Sequence, residues 1–396
     1  MKENERPPAI LIVNGGSSSV KFAVFLIADQ LNLFLEGQVK NINTDHAFLQ
    51  WSRKDADHNE KISFGKDDLI AQAIINIIEN ELTVSLIAVA HRIVNGMRHT
   101  EPELITPQLI AELNEISFID PDHLPAEIEF IKQFQQRYPH LKHIACFDTA
   151  FHSTMPGVAK WIPIPWKFYT KGIHRYGFHG ISYSFLIEEL QRKAGKEVAS
   201  GKVILAHLGS GVSLAAVKEG RSIDTSMGFT PTSGIPMSTR SGDLDPGVIN
   251  YLMRKEHLAI DQINDMLNHE SGLKGISQRS GDMQELLERE NSDQHAKDAI
   301  ELFCYQTRKC IGAMAAALGG LEALVFSGGI GEQSPAIRER VCMNLEFLGI
   351  QIDTERNRNN DFLISNAEAK VPVYVIPTNE EVMMARLTQQ LLARTT

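Results

Sequence analysis

Residues 9–27 read AILIVNGGSSSVKFAVFLI, and the fold is decided here. Five apolar residues, Ala9 to Val13, run into Asn14-Gly15-Gly16-Ser17-Ser18-Ser19, and the chain resumes as an apolar run from Val20 to Ile27 broken only by Lys21. Both runs are short and rich in β-branched or aromatic residues, and turn residues split them. The spacing therefore predicts strand, tight turn, strand. Two glycines permit a tight backbone with no side chain over it. The serines, Asn14 and Lys21 add donors and a point charge, a combination that suits a phosphate. A solvated hairpin turn would use the same residues. The spacing G-x-x-x-x-G-K-[ST] is absent and a strand follows, so this is not a Walker loop.

The pattern recurs. Residues 201–220, GKVILAHLGSGVSLAAVKEG, again read as strand, Gly/Ser turn, strand. A third Gly-rich turn, Ser327-Gly328-Gly329-Ile330-Gly331-Glu332, follows the strand Ala323 to Phe326. The chain is thus read as two related α/β units, each opening with a hairpin turn suited to phosphate. Facing each other across a cleft, two such units would hold a nucleotide on one side and an acceptor on the other, and closure would exclude water.

Composition narrows the classes. A chain of 396 residues, 43% hydrophobic and 22% charged, has room for two full cores. No apolar run approaches the roughly 20 residues of a membrane span. The polar start MKENERPP lacks the apolar core of an export signal, so a cytoplasmic protein is expected. Cys146, Cys304, Cys310 and Cys342 show no C-x-x-C spacing and fit a reducing compartment. A net charge of −10 argues against a nucleic-acid partner.

Between the hairpins, residues 51–66 read as a charged surface segment or hairpin, and Asp67 to Leu82 as a helix with Asp67 near its start. A buried strand, Leu86 to Ala90, ends in His91-Arg92. Thr106 to Tyr138 is mainly helical with a break at Asp120 to Pro125. A short strand from Leu141 to Cys146 delivers Asp148 at its C-terminal end, where open α/β sheets place ligands. Helices are expected at Gly247 to Arg254, Ala259 to Asn268 and Ala296 to Gly319. Val371 to Ile376 reads as a strand and Glu380 to Leu392 as a terminal helix capped by Asn379 or Thr378.

Phosphoryl transfer needs positioning and charge neutralisation more than covalent chemistry. Arg92 and Arg240, at strand ends and among Gly, Ser and Thr, are the candidate anion holders, because a guanidinium donates two parallel hydrogen bonds. His179, in Arg175-Tyr176-Gly177-Phe178-His179-Gly180, is a candidate donor to the transferring group; a core histidine in a turn is the plainer reading. Asp148 and Glu380 are candidate Mg²⁺ carboxylates, since that ion takes one or two carboxylates with waters and phosphate oxygens.

These residues lie in motifs that resemble acetate kinase and its short-chain acyl kinase relatives. The motifs are NGGSSSVK (14–21), FDTAFHSTMP (147–156), RYGFHG (175–180), DTSMGFTP (224–231), TRSGDLDPG (239–247), SGGIGE (327–332) and PTNEE (377–381). The resemblance implies an α/β protein with the duplicated actin-like, sugar-kinase-like (ribonuclease-H-like) fold, two domains facing a central cleft. Residues 1–149 with 382–396 would form one domain, and 150–381 the other, with the nucleotide site and a homodimer interface. It implies that Asn14, Ser17, Ser19 and Lys21 lie near phosphate and metal, and that Asn14, Asp148 and Glu380 serve Mg²⁺, with Mn²⁺ as a substitute. Arg92 and Arg240 would hold the carboxylate and the migrating phosphoryl group. His179 would bond that group, supported by His123 and His207. Val94, Phe178 and Pro231 would wall the substrate's methyl end. His207, Gly209, Ser210, Gly211, Asp282, Met283, Gln284, Gly329, Ile330 and Gly331 would face the nucleotide. The implied reaction is direct in-line transfer between ATP and acetate or propionate.

Several positions depart from the family pattern. LHNP is Asp122-His123-Leu124-Pro125, which puts a carboxylate where the pocket wall is apolar. HGG is Asn95-Gly96-Met97, HLGNG is HLGSG with Ser210, GFHGTSH is GFHGISY with Ile181 and Tyr183, and DFR is Asp282-Met283-Gln284. The last loses an aromatic face and a cation at the adenosine. Three alternatives therefore stay open: another donor such as pyrophosphate, a ligand sensor with weak catalysis, and a kinase for a hydroxylated substrate.

Overall fold

A computed structural model describes residues 6–394 except 17–18, 29, 41, 43–47, 54–55, 62–67 and 82; for 56–61, 68 and 69 it describes the backbone alone. The chain divides into two compact units, Met1–Ala150 with Asn379–Thr396, and Phe151–Thr378.

The first unit holds β1 (Pro8–Gly15), β2 (Ser19–Leu26), β3 (Asn32–Lys40), β4 (Phe48–Arg53), β5 (Ala56–Lys61), β6 (Ser85–Ile93), β7 (Glu103–Leu104) and β8 (Lys142–Phe147). Their order in one sheet is β5-β4-β3-β2-β1-β6-β8-β7. The opening hairpin is the antiparallel pair β1–β2, in register from Ala9 opposite Leu26 to Gly15 opposite Val20. β6 lies parallel to β1, and β8 parallel to β6. All of β1 after Pro8 is buried, as expected of a strand covered on both faces. The helix Glu380–Arg394 packs on β1, β2, β6 and β8 through a buried face that includes Met383, Met384 and Ala385. Its cap is Asn379, whose Oδ1 accepts the Val382 N–H at 2.8 Å. Within residues 51–66 the described part supplies the end of β4 and all of β5, an antiparallel pair. The expected cap Asp67 lies outside the described residues.

The second unit holds β9 (Lys202–Leu208), β10 (Val212–Lys218), β11 (Arg221–Thr225), β12 (Ala323–Ser327) and β13 (Val373–Val375), in the order β11-β10-β9-β12-β13. The first three are antiparallel neighbours, and β12 and β13 continue in parallel. This is the arrangement of β3-β2-β1-β6-β8, strand for strand, so the repeated hairpin marks a duplicated α/β fold. The helix Gln294–Leu318, capped by Asp293 Oδ1 on the His295 and Ala296 amides, packs on β9, β10 and β11.

Two elements differ from the sequence reading. The strand expected to stop at Ala90 continues through His91 and Arg92 to Ile93, because Arg92 pairs with Cys146 of β8 within the ladder. The Gly-rich stretch after β12 is the helix Gly328–Gln333. Glu332 turns back and its Oε1 accepts the Gly328 N–H at 2.8 Å and the Thr378 N–H at 3.0 Å, so one carboxylate closes the helix start and ties it to the segment after β13. Gly328 sits at φ +76°, and a Cβ there would meet the Leu208 carbonyl oxygen at 2.7 Å.

Candidate active site

In the first unit the parallel strand ends gather the expected residues. Arg92 donates to Asp148 Oδ2 from Nε at 3.1 Å and from Nη2 at 2.6 Å, and its Nη1 donates to the Gly15 carbonyl at 3.0 Å. Asp148 is held in turn by its own N–H on the Ile93 carbonyl. Gly16 closes the hairpin on the Ser19 carbonyl at 2.8 Å, and a Cβ on it would lie 3.9 Å from Arg92 Nη1. Burial alone would lower the Arg92 pKa, but Asp148 and Glu380 outweigh it and raise it, so the guanidinium stays charged.

Asn14, at the end of β1, is buried and donates from Nδ2 to Glu380 Oε2 at 3.0 Å and to Glu381 Oε1 at 2.7 Å. Glu381 was not foreseen from the sequence, although it adjoins Glu380 in the same motif. Ser19 starts β2 half-exposed and Lys21 is exposed on it; Ser17 lies outside the described residues. A hard cation takes oxygen donors; Asn14 gathers the carboxylates of Glu380 and Glu381 around one point, facing them with its amide N–H.

The segment after β6 and the turn before the helix Leu124–Arg137 carry the expected acceptor residues. Val94 and His123 are buried, and His123 Nδ1 lies 2.7 Å from Asp120 Oδ1. Asp122 is half-exposed in that turn. Asn95 is buried and its Oδ1 accepts the Met97 N–H at 3.0 Å, which supports Met97 in the left-handed region at φ 47°. The motif HGG has glycine there. A Cβ on Gly96 would strike the Phe147 ring at 2.6 Å, so that glycine has no substitute.

In the second unit His179 precedes the helix Gly180–Ala194 in the left-handed region, at φ 60°. Non-glycine residues there cost energy that the surroundings must offset. Two contacts do so: Nδ1 lies 2.8 Å from Ser213 Oγ, and the ring stacks on His207 at 4.4 Å between centroids. Ser213 Oγ also bonds the Tyr183 hydroxyl. His207 Nδ1 meets Ser182 Oγ at 2.9 Å, and Ser182 meets Thr378 Oγ1 at 2.8 Å. Ser213 escaped the sequence reading, which noted Tyr183 only as a departure from the family pattern; a serine inside the buried run VSLAAV was the available signal.

Arg240 converges on the same spot. A Cβ on Gly211 would lie 3.1 Å from His179 Nε2 and 3.8 Å from Arg240 Nη1. The second hairpin turn thus meets its cation as the first meets Arg92. Arg240 Nη1 also donates to the Pro231 carbonyl at 3.3 Å. Phe178 and Pro231 are buried, and Phe178 is backed by His152, whose Nε2 lies 3.0 Å from the Phe178 carbonyl oxygen.

Beside the turn lies a cavity of about 460 Å³, a normal size for a small-molecule site. Gly209, Ser210, Asp282, Met283, Gln284, Gly329 and Ile330 line it. Asp282 caps the helix Met283–Arg289 by accepting the Glu285 N–H at 2.9 Å, which fixes the first turn against the cavity. Met283 offers a polarisable thioether where the family pattern has an aromatic ring. Gly331 is buried and its carbonyl accepts from Arg338 Nη1 at 2.8 Å.

The chain was compared with known proteins. A model of the acetokinase family matches residues 9–386. An acetate kinase from Thermoanaerobacterium thermosaccharolyticum is 40% identical over 97% of this chain and 98% of its own. One from Nitrobacter hamburgensis is 42% identical over 97% of this chain and 96% of its own. Among solved structures, a propionate kinase from Francisella tularensis superposes with a TM-score of 0.90 at 35% identity, covering 97% of this chain and 99% of that one. An acetate kinase from Porphyromonas gingivalis gives 0.86 at 33% identity, covering 97% and 100%. With the duplicated sheet, the two glycine–arginine meetings and a family match across nearly its whole length, the chain belongs to the acetokinase family.

Proposed function

We propose that this chain transfers the terminal phosphoryl group between ATP and a short-chain carboxylate, acetate or propionate, giving an acyl phosphate and ADP by direct in-line transfer. The observation that carries this reading is the convergence of His179 Nε2 and Arg240 Nη1 on Gly211, matched by that of Arg92 on Gly15 and Gly16. Each unit thereby presents a charged fork beside bare backbone, which suits an anion whose charge is spread over several oxygens.

Arg92 and Arg240 bind the carboxylate and the moving phosphoryl group. With the Tyr183 hydroxyl donating to Ser213 and Ser213 Oγ donating to Nδ1 of His179, the ring N–H would sit on Nε2, the nitrogen that faces Gly211, and would donate to the phosphoryl oxygens. Val94 and His123 of the first unit and Phe178 and Pro231 of the second would bound the acyl end. The nucleotide lies in the cavity lined by Met283 and Ile330. Asn14 and Glu380 would hold Mg²⁺, which would supply neutralisation of the phosphate charge when bound. The reading includes a homodimer in the cytoplasm. Exposed Val248, Tyr251 and Met253 on the helix Pro246–Lys255 support the former. No helix among the described residues is long and apolar enough to cross a membrane.

A hydroxylamine trap for acyl phosphate tests the reaction, run across short carboxylates with ATP and with pyrophosphate. Signal with acetate or propionate and ATP is the expected outcome; silence with every pair refutes it.

A further inference from the structure

The helix Leu124–Arg137 carries a second polar group on its buried side. Leu124, Ile128 and Ile131 belong to one apolar cluster with Ile93 of β6. Glu127 lies among these positions in sequence and is only 5% exposed. Glutamate is almost never buried this deeply without a partner, and its partner here is backbone. Both carboxyl oxygens lie 3.2 Å from the Val94 nitrogen. The Glu127 N–H donates to the His123 carbonyl at 3.0 Å. One residue therefore ties the turn that holds His123 to the strand end that holds Arg92 and Val94.

Four charged or titratable groups surround it. Asp120 stands on the turn before the helix, Arg92 on β6 and Asp148 after β8, and each acts on Glu127 electrostatically; His123 lies one helical turn back. Asp148 already claims the Arg92 fork at 2.6 Å. Burial first, then Asp120, pushes the Glu127 carboxyl well above the usual carboxylate range, against the opposing pull of Arg92 and the Val94 amide. The Glu127 carboxyl accepts the Val94 N–H, while the Arg92 fork is bonded to Asp148 and not drawn toward Glu127.

We propose that Glu127 is a positioning residue for the carboxylate acceptor, fixing the end of β6 so that Val94 and the Arg92 fork are presented in one geometry. It acts through those two residues and touches no substrate. The inference rests on the role given to Arg92 under the proposed function. Ionisation of Glu127 would add negative charge beside Arg92 and weaken carboxylate binding.

The full-length protein and its Glu127→Gln and Glu127→Ala variants decide this, through KM for acetate and for ATP measured from neutral to alkaline pH. Glutamine keeps the shape of the side chain and an acceptor for Val94. It should hold the acetate KM within about twofold at neutral pH, whereas alanine should raise it at least about tenfold and leave the ATP KM within about twofold. As pH rises, the acetate KM of the wild type should climb and that of Glu127→Gln should stay flat. Equal alkaline rises in both, or an unchanged acetate KM in Glu127→Ala, would overturn the assignment. If the alanine variant does not fold, Glu127→Asp, which shortens the reach to Val94, takes its place with the same expected rise in the acetate KM and the same unchanged ATP KM. Ligand-observed NMR titration with acetate reads the same differences without turnover. A wild type that makes no acyl phosphate would therefore defeat the proposed function, and the acetate affinities of the variants would still judge Glu127.

Discussion

Nη2 of Arg92 lies 2.6 Å from Asp148 Oδ2, and the same guanidinium reaches the Gly15 carbonyl with Nη1. The fork is thus aimed by the protein, at the turn that opens the chain. Arg92→Ala and Arg240→Ala should each lower kcat/KM at least ~100-fold, the scale of one lost transition-state charge contact. Near-normal turnover in either variant would remove that arginine from the mechanism.

Ser213 sets the ring of His179. Replacing it with alanine takes away the oxygen 2.8 Å from Nδ1 and leaves the choice of tautomer open. Ser213→Ala should lower kcat roughly 10- to 100-fold, about one hydrogen bond to a buried polar group, with KM nearly constant. Steady-state kinetics check this, and an unchanged kcat would show that the ring is oriented without the serine.

The spot where His179 and Arg240 meet exists because residue 211 has no side chain. Gly211→Ala places a carbon 3.1 Å from Nε2, so the imidazole must give way, and kcat should fall at least ~10-fold. Gly312 is the contrast: it sits inside the helix Gln294–Leu318 with nothing within 4 Å of its would-be Cβ. Gly312→Ala should leave turnover unchanged and add about 0.5–1 kcal/mol of stability. Denaturant melts of the two variants separate the effects.

Acid should loosen the fold before it protonates the carboxylates. Burial pulls His152 down to about 4 from an ordinary 6.5, and His91 and His143 are lowered for the same first reason. The unfolded chain takes up these protons near pH 6.5 and the folded chain does not. Stability is therefore complete above about pH 6.5 and falls as pH drops toward 4, by ~3 kcal/mol for His152 alone. Urea unfolding at stepped pH should show the decline, with a shallower slope in His152→Asn. A flat profile across that window would contradict it.

The hairpins were legible because their chemistry is local: glycine and serine between β-branched runs mean a turn in any context. Asp148 and Arg92 could be picked out for a similar reason, as charges at strand ends; Arg240, expected at a strand end, lies instead in the irregular segment between β11 and the helix Pro246–Lys255. Ser213, Tyr183 and Glu127 could not, since each becomes informative only through a partner distant in sequence: His179 for Ser213, Ser213 for Tyr183 and Val94 for Glu127. The helix Gly328–Gln333 was missed for a related reason. Its start is closed by Glu332, which also binds Thr378 beyond β13, and three glycines in a row of six otherwise argue for a loop. Met97 shows the converse case, a non-glycine at positive φ, made tolerable by the Asn95 side chain two residues earlier.

The return of the last helix to the first unit has a temporal consequence. Met383, Met384 and Ala385 cover β1, and Glu380 bonds Asn14, so the N-terminal sheet lacks part of its covering until residues 379–394 have left the ribosome. The second unit is whole once Thr378 has emerged. Newly made chains therefore finish their middle first and their beginning last, the reverse of the usual N-to-C order of domain folding. A polypeptide halted near residue 378 would carry a bare β1 face, open to chaperones and proteases, and would lack the carboxylate that bonds Asn14.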